Sequence, residues 1–280
     1  MSHDESRPVV VGVAGRHVVV LQYARQEAER AGCAITLVHA YTVPPSAMGN
    51  LYGLDVPEAY KAGGHEVLTE ARHELTAMAT TSPVHSVLVR GFAPAVLESE
   101  SRKARLMVIG PDESKPWVAR ILEGRVARHL VDHAECPVAV VSDTWEPSRD
   151  ASPVVVIIDD EPLAQGALAF AFGTAELRHV ELRILHVAAK MQDEPDGEWS
   201  SMKWIVDTWQ ERFPDVRESS HIVTRDVHAE AVSAGNGAGL LVVGRSRCHG
   251  AGSLLGDSLA RDIISVSDCP VVVVPSASAR

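Results

Sequence analysis

The sequence predicts an α/β protein in which two tandem domains each fold around a parallel β-sheet. Three observations indicate this. Short runs of β-branched residues alternate with helical patterns along all 280 residues, this order of segments occurs twice, and a polar stretch at 142–152 separates the copies. Strands that alternate with helices favour a parallel sheet covered on both faces. The length allows two domains of about 100–150 residues each.

The duplication rests on four matched positions. They are Pro8 with Pro153, His39 with His186, Gly110 with Gly244, and Cys136 with Cys269. Their order is the same in both copies, and the first copy carries a longer insert between its second and fourth strands. We therefore place the domains at residues 1–145 and 146–280.

In the first copy, short segments rich in Val, Ile and Leu predict the strands of a parallel sheet. These runs are Val9–Val13, Ile35–His39, Val84–Val89, Leu106–Ile109 and Val138–Val141. The segments between them predict helices at His17–Ala31, Glu66–Met78, Pro94–Lys103 and Val118–His133. In the first helix Val20, Leu21, Ala24 and Ala28 recur at helical spacing. The insert Tyr41–Gly64 is rich in Pro and Gly and predicts an extended loop.

The second copy repeats these elements. The predicted strands are Val154–Ile158, Leu182–Val187, Ser220–Thr224, Leu240–Val243 and Val271–Val274. The predicted helices are Pro162–Leu177, Trp199–Phe213, His228–Ala234 and Ser258–Val266. Trp199, Trp204 and Trp209 lie five apart and need not share one helix face, so we expect them to pack against the sheet or a partner.

Composition excludes several classes of protein. The formal net charge of −11 argues against binding to DNA or RNA, because such a surface repels phosphate backbones. No apolar run approaches the roughly 20 residues that span a bilayer, and acidic residues near the start argue against a signal peptide. We expect a cytoplasmic protein without a membrane partner. The four cysteines are too scattered for a disulfide framework, so we expect buried thiols. We expect no metal site among the 13 histidines.

The stretch Leu240–Val274 predicts an anion site. An apolar strand ends at Gly244, a loop with Arg245, Arg247 and several glycines follows, and a helical pattern begins after it. Glycine lets the backbone approach a ligand, and free N–H groups at a helix start point at an anion. An ordinary tight connection between a strand and a helix is the alternative interpretation, since glycine loops alone are weak signals.

Each copy resembles the universal stress protein family, and the tandem resembles its two-domain members. The likeness is carried by the PVVVGV opening strand, the LVHA second strand, the RGFAPAVL segment, the VIG and VVG fourth strands, and the endings HAECPVAVV and SDCPVVVV. It implies a flavodoxin-like (Rossmann-like) five-stranded parallel sheet of order 3-2-1-4-5 in each half. It also implies pairing through the last strands, as a homodimer or as an internal pseudo-dimer.

Some members of this family bind ATP, through an Asp after the first strand and a G-x2-G-x9-G-[S/T] loop after the fourth. The second copy keeps Asp159, Gly244 and Ser258 in register, whereas Arg247 replaces the second glycine and Gly256 comes one residue early. Arg247 either clamps a phosphate or fills its space. With Val187 on the neighbouring strand, these residues form the cofactor site that the resemblance implies, and the expected ligand is ATP with Mg²⁺ or a related adenine nucleotide.

The first copy departs further from the pattern. Ala14 stands at the Asp position, Glu113 at the second glycine, and Arg125 at the Ser/Thr position, although Gly110 is kept. Two carboxylates, Asp112 and Glu113, would lie where phosphates belong. We expect this site to be lost.

These residues imply a non-enzymatic stress-response protein whose second half binds a nucleotide. No catalytic residue is expected, because no nucleophile elbow occurs. The alternative is a nucleotide-free dimerising scaffold that acts through partner contacts. A slow ATPase is a weaker third hypothesis, with Asp257 or Asp160 to orient water.

Overall fold

The computed structural model describes residues 7–44, 56–110, 125–158, 161–187, 196–223, 227–245 and 267–275. The chain divides into two compact units, unit 1 at Met1–Asp143 and unit 2 at Thr144–Arg280. Each unit is an α/β fold around its own five strands.

Unit 1 contains strands β1 (Val9–Gly12), β2 (Ile35–Tyr41), β3 (Val84–Arg90), β4 (Leu106–Ile109) and β5 (Val138–Val140). Their order is β3-β2-β1-β4-β5, and the neighbours within the unit pair in parallel. The predicted order 3-2-1-4-5 is therefore confirmed. Strands β1 and β4, in the centre of this order, are almost wholly buried, as expected for β-branched strands of an α/β sheet, and β5 is buried as well.

Four helices among the described residues of unit 1 cover this sheet. They are α1 (Val18–Arg30), α2 (Val56–Ala77), α3 (Ala93–Ser101) and α4 (Arg125–His133). The predicted extended loop at Tyr41–Gly64 is wrong over its second part, because α2 begins ten residues before the expected start at Glu66. Pro57 is tolerated here because it lies in the first helical turn, where its missing N–H leaves no helix bond unmade.

Gly64 also belongs to α2, and close packing explains why a glycine occupies this position in the helix. A Cβ at this position would lie 2.7 Å from Leu88 Cδ1 and 3.1 Å from His39 Cδ2. The helix therefore approaches β2 and β3 so closely that a Cβ here would force the Leu88 or His39 side chain to shift. The sequence analysis interpreted this glycine as a loop residue, whereas it is a contact residue of a helix.

Helix α1 shows how the sequence determines a helix face and its end. The four residues expected on its buried face are all buried, and Tyr23 joins them. Fully burying one large aliphatic side chain contributes about 1.5–3 kcal/mol. The helix ends at Arg30, and Gly32, the second residue after it, has φ +61°. Glycine adopts this left-handed conformation without the steric cost that a Cβ adds.

Unit 2 repeats the architecture. Its strands are β6 (Val154–Ile158), β7 (Leu182–Val187), β8 (Glu218–Val223), β9 (Leu240–Gly244) and β10 (Val271–Val274). Its described helices are α5 (Glu161–Arg178), α6 (Asp196–Arg212) and α7 (Val227–Asn236). Within the unit the order is β8-β7-β6-β9-β10, again 3-2-1-4-5 with parallel neighbours. The helix predicted at Ser258–Val266 lies outside the described residues.

Aromatic packing joins α5 to α6. Phe172 on α5 is fully buried, and its ring centroid lies 6.4 Å from Trp209 and 5.7 Å from Phe213. Trp204, on the same helix as Trp209, is 66% exposed. The prediction that these two tryptophans need not share a face is therefore confirmed, and Trp199 lies where side chains are not described.

The junction between the copies is folded rather than extended. A short 3₁₀ helix, Pro147–Ala151, precedes β6. Asp150 within it forms an ion pair with Arg178 at the end of α5, at 3.0 Å. Gly239 lies so close to the junction that a Cβ would fall 2.5 Å from the Arg149 carbonyl oxygen. The last part of the predicted linker therefore belongs structurally to unit 2.

The described cysteines agree with the expected buried thiols. Cys33, Cys136 and Cys269 are free and buried. Burial raises the pKa of the Cys33 thiol, and it raises the pKa of the Cys269 thiol to about 12. Cys248 lies outside the described residues.

Candidate functional site

Three strands of unit 2 end side by side at the predicted nucleotide site. Strand β6 pairs with β9 through Ile157 and Val243, and with β7 through Ile158 and His186. Gly244 ends β9 and Val187 ends β7. In open parallel sheets, ligands bind outside the carboxyl ends of the strands at the point where the strand order reverses. In unit 2 that point is the boundary between β6 and β9.

The structure describes two of the six predicted site residues. Gly244 lies at the carboxyl end of β9, and the backbone N–H of Arg245 after it donates to the Val274 carbonyl at 2.7 Å. Val187 is 2% exposed. The other four predicted residues, Asp159, Arg247, Gly256 and Ser258, lie outside the described residues. Asp159 follows Ile158, the last residue of β6, directly in the chain.

A helix begins at the same edge. Helix α5 starts at Glu161, two residues after Asp159, and runs to Arg178. Its first N–H groups have no partner within the helix, and the helix dipole places partial positive charge at this end. The edge therefore combines a strand end, a helix start and a glycine, which is the arrangement that anion sites of α/β proteins use.

The matched edge of unit 1 carries a different set of residues. Ala14, the counterpart of Asp159, is exposed and has no group that could bond to a sugar or a base. Gly110 is explained by packing alone, because a Cβ there would lie 2.7 Å from Val20 Cγ2 and 3.5 Å from His17 Nδ1. A glycine at the end of the fourth strand thus lets α1 approach the sheet, whether or not a phosphate binds.

The matched histidines, His39 and His186, lie near the carboxyl ends of the second strands of the two units. In unit 1 the His39 Nδ1–H donates to the Val13 carbonyl at 2.7 Å, at the end of the first strand. The expectation that His39 is a satisfied histidine of the sheet is therefore confirmed. His186 is also buried, with 6% of its surface exposed, and it lies beside Ile158 in the sheet.

The sequence analysis missed one cluster of titratable residues in unit 1. His129 Nε2 lies 2.6 Å from Glu98 Oε2, and the rings of His129 and His133 stack with centroids 4.4 Å apart. The hydrogen bond from His129 lowers the pKa of the Glu98 carboxyl. The signal was present in the sequence, since the segment HLVDH places two histidines one helical turn apart.

Metal binding receives no support from this cluster. No group of three or more His, Cys, Asp or Glu side chains is placed to hold a metal ion within the described part of the chain. The His133 Nδ1–H donates to the backbone carbonyl of His129 at 2.9 Å, which fixes the ring on its own helix. The cluster therefore joins α3 to α4 and stabilises the second half of unit 1.

Comparison with known proteins finds one family in both units of the chain. The sequence profile of the Universal stress protein family matches residues 6–142 and 151–275, one segment in each unit. A universal stress protein of Mycobacterium tuberculosis strain H37Rv is 30% identical over 300 residues and covers 97% of both chains. A second universal stress protein of that strain is 32% identical over 205 residues, covering 68% of each chain.

A solved structure shows the same fold over nearly the whole chain. The crystal structure of a universal stress protein from Archaeoglobus fulgidus superposes with a TM-score of 0.72 at 18% identity, covering 97% of each chain. Among the described residues, none of the helices has the length and apolar character required to cross a membrane.

Proposed function

This chain belongs to the universal stress protein family, and from that membership we propose that it is a non-enzymatic stress-response protein that binds an adenine nucleotide in unit 2. The expected ligand is ATP with Mg²⁺. The observation that supports this most directly is the adjacency of the β6 and β9 ends, because Gly244 ends β9 and Asp159 follows β6 directly in the sequence.

The role of each residue follows from its chemistry. The Asp159 carboxylate would accept hydrogen bonds from the ribose hydroxyls or the adenine amino group. Gly244 lets the backbone approach the phosphates, and the hydroxyl of Ser258 and the guanidinium of Arg247 supply hydrogen-bond donors to them. Gly256 gives the loop backbone freedom, and Val187 supplies apolar surface at the adjacent strand end. Mg²⁺ would offset the charge of the phosphates.

The two units therefore have different proposed roles. Unit 1 keeps the fold but has Ala14 and Glu113 where the family pattern has an Asp and a Gly. We propose that it contributes structure and partner surface, while unit 2 responds to the nucleotide. Pairing through the last strands stays a prediction, as does a cytoplasmic location.

Isothermal titration with ATP and Mg²⁺ tests the proposal on the full chain. We expect saturable binding by the unaltered chain. Asp159→Ala should lower the affinity about tenfold or more, because a hydrogen bond to a charged group is removed. Asp268→Ala should cause no loss of affinity. Asp268 is exposed and precedes β10 at the opposite edge of the sheet, so this control removes the same charge far from the site. Absence of binding by the unaltered chain would reject the proposal.

The second candidate function is a nucleotide-free scaffold that acts through dimerisation and partner contacts. The observation that favours it is the packing of Gly110 against Val20, which explains a kept glycine without any ligand. Co-purified nucleotide, seen as excess absorbance at 260 nm in the supernatant after denaturation, would contradict this candidate. A protein that is free of nucleotide and shows no heat with ATP would support it.

A further inference from the structure

A cavity of about 290 Å³ lies between α6 and the strands β7 and β8 of unit 2. Its apolar surface comes from Ile184 on β7 and Val206 on α6, and its polar surface includes His186, Glu218 and Ser220. The cavity lies on a face of the sheet, and His186 in its wall precedes Val187 at the carboxyl end of β7. Its volume is near the lower limit for ligand pockets, so only a small molecule fits.

The matched histidine of unit 1 has a different neighbour. There His39 pairs with Leu88 across the strands, just as His186 pairs with Ile222 in unit 2. Gly64 brings α2 into contact with both His39 and Leu88. In unit 2 the corresponding Ile222 is 44% exposed, and His186 borders the cavity. The two copies have thus diverged at the matched histidines, since His39 lies against Gly64 of α2 whereas His186 borders the cavity.

The positive and negative side chains that line the cavity differ in number. Lys203 and Asp207 on α6 neutralise each other through an ion pair of 2.9 Å. Glu218 accepts a hydrogen bond from the Ser220 hydroxyl at 2.7 Å, but among the described residues no Lys, Arg or His lies within ion-pair distance of its carboxylate. Within the described part of the chain, the wall therefore holds one carboxylate without an ion-pair partner, Glu218, next to apolar surface. The net charge of −11 also attracts cations to the protein.

We propose that this cavity is a second binding site, separate from the nucleotide site, for a small organic cation such as a primary alkylamine. The ammonium group would form an ion pair with Glu218 and a hydrogen bond with Ser220. The alkyl chain would contact Ile184 and Val206, and the imidazole of His186 would border the chain. An organic anion would meet the Glu218 carboxylate and be excluded.

Two probes of equal length and opposite charge test the proposal. The full chain is titrated with n-butylamine and with n-butyrate at pH 8. Amide chemical shifts of Ser220 and Ile222 report occupancy of the cavity. We expect butylamine to shift these amides saturably, in the millimolar range expected of so small a ligand, and butyrate to leave them unchanged.

The variant Glu218→Gln keeps the shape of the side chain and removes its charge. We expect it to weaken butylamine binding by about tenfold or more, because a charge-assisted hydrogen bond is lost. Glu211→Gln is the matched control, since Glu211 is exposed on α6 and does not line the cavity. Equal binding of the two probes, binding of neither, or equal effects of the two variants would overturn the proposal. A circular dichroism spectrum of each variant confirms that the fold is kept.

Discussion

The guanidinium Nη1 of Arg178 lies 3.0 Å from Oδ1 of Asp150, and the side chains are 1% and 16% exposed. The same nitrogen donates to the Gly239 carbonyl at 3.4 Å. A cation this deeply buried is tolerated only because a carboxylate and a carbonyl surround it. The ion pair links the 3₁₀ helix that precedes β6 to the end of α5.

Removing Asp150 should therefore destabilise unit 2 strongly. We expect Asp150→Ala to lower the free energy of unfolding by about 3 kcal/mol, because it leaves a buried cation without its partner. Urea denaturation measures this. The double variant Asp150→Leu with Arg178→Met should recover part of the loss. As a control, Glu58→Ala breaks the exposed pair with Lys61 and should change stability by less than about 1 kcal/mol. A similar small loss for Asp150→Ala would contradict the argument.

Gly239→Ala should also destabilise the protein. The added Cβ would lie 2.5 Å from the Arg149 carbonyl oxygen and 2.8 Å from that of Ser152, and neither backbone oxygen can move freely. We expect a loss of about 1–3 kcal/mol, typical of overpacking. Gly237→Ala is the matched control, because nothing lies within 4 Å of its Cβ position. Thermal unfolding of both variants checks this, and equal melting temperatures would refute it.

Gly110→Ala tests whether the glycine at the end of β4 serves packing. Its Cβ would meet Val20, which is 1% exposed and β-branched, so the clash cannot be relieved by a rotamer change alone. We expect a loss of about 1–3 kcal/mol without any nucleotide present. The measurement is urea denaturation of the ligand-free protein. Unchanged stability would mean that this glycine is kept for another reason.

The Glu98–His129 pair should make stability depend on pH in the acid range. The hydrogen bond from His129 holds the pKa of Glu98 below its usual value, so its contribution is present above the unfolded carboxyl pKa of about 4.3 and is lost as pH falls through the folded pKa. The stability difference between the unaltered protein and Glu98→Gln should shrink as the pH falls below about 4. The effect should be small, because each side chain is 30% exposed.

Denaturation at several pH values measures that difference. His129→Gln removes the partner and should abolish the same acid dependence, and adding Glu98→Gln to it should have little further effect on the slope. If the difference between the unaltered protein and Glu98→Gln is constant across the acid range, the pair does not act through this hydrogen bond.

Cys269 should resist alkylation in the native protein. Burial raises the pKa of its thiol to about 12, and only the thiolate reacts. Native protein treated with iodoacetamide at pH 8 should retain an unmodified Cys269, whereas protein in denaturing urea should be modified quickly. Peptide mass spectrometry distinguishes the two. Rapid modification of this cysteine under native conditions would contradict its burial.

Much of the fold could be predicted because it depends on local patterns. The valine runs are buried on both faces, and α1 buries the residues whose spacing predicted its apolar face. These features depend on residue types and their spacing over short stretches of the chain. The strand order 3-2-1-4-5 was instead implied by the family resemblance of both copies.

Contacts between distant segments could not be predicted in the same way. Gly64 was interpreted as part of a loop because its helix contact with His39 and Leu88 is made only after folding. Asp150 was interpreted as part of a linker, because its ion pair with Arg178 is made only after folding. The strand ends at the candidate site could be predicted from topology, whereas the roles of Asp159, Arg247, Gly256 and Ser258 stay predictions.

The ion pair of Asp150 with Arg178 has a practical consequence for anyone who expresses the second half alone. The family profile begins its second segment at residue 151, so a fragment cut at that limit would lack Asp150. It would leave Arg178 buried without its counter-ion and would remove the Arg149 carbonyl against which Gly239 lies. A fragment that starts at Thr144 keeps both contacts, so the gene should be divided there.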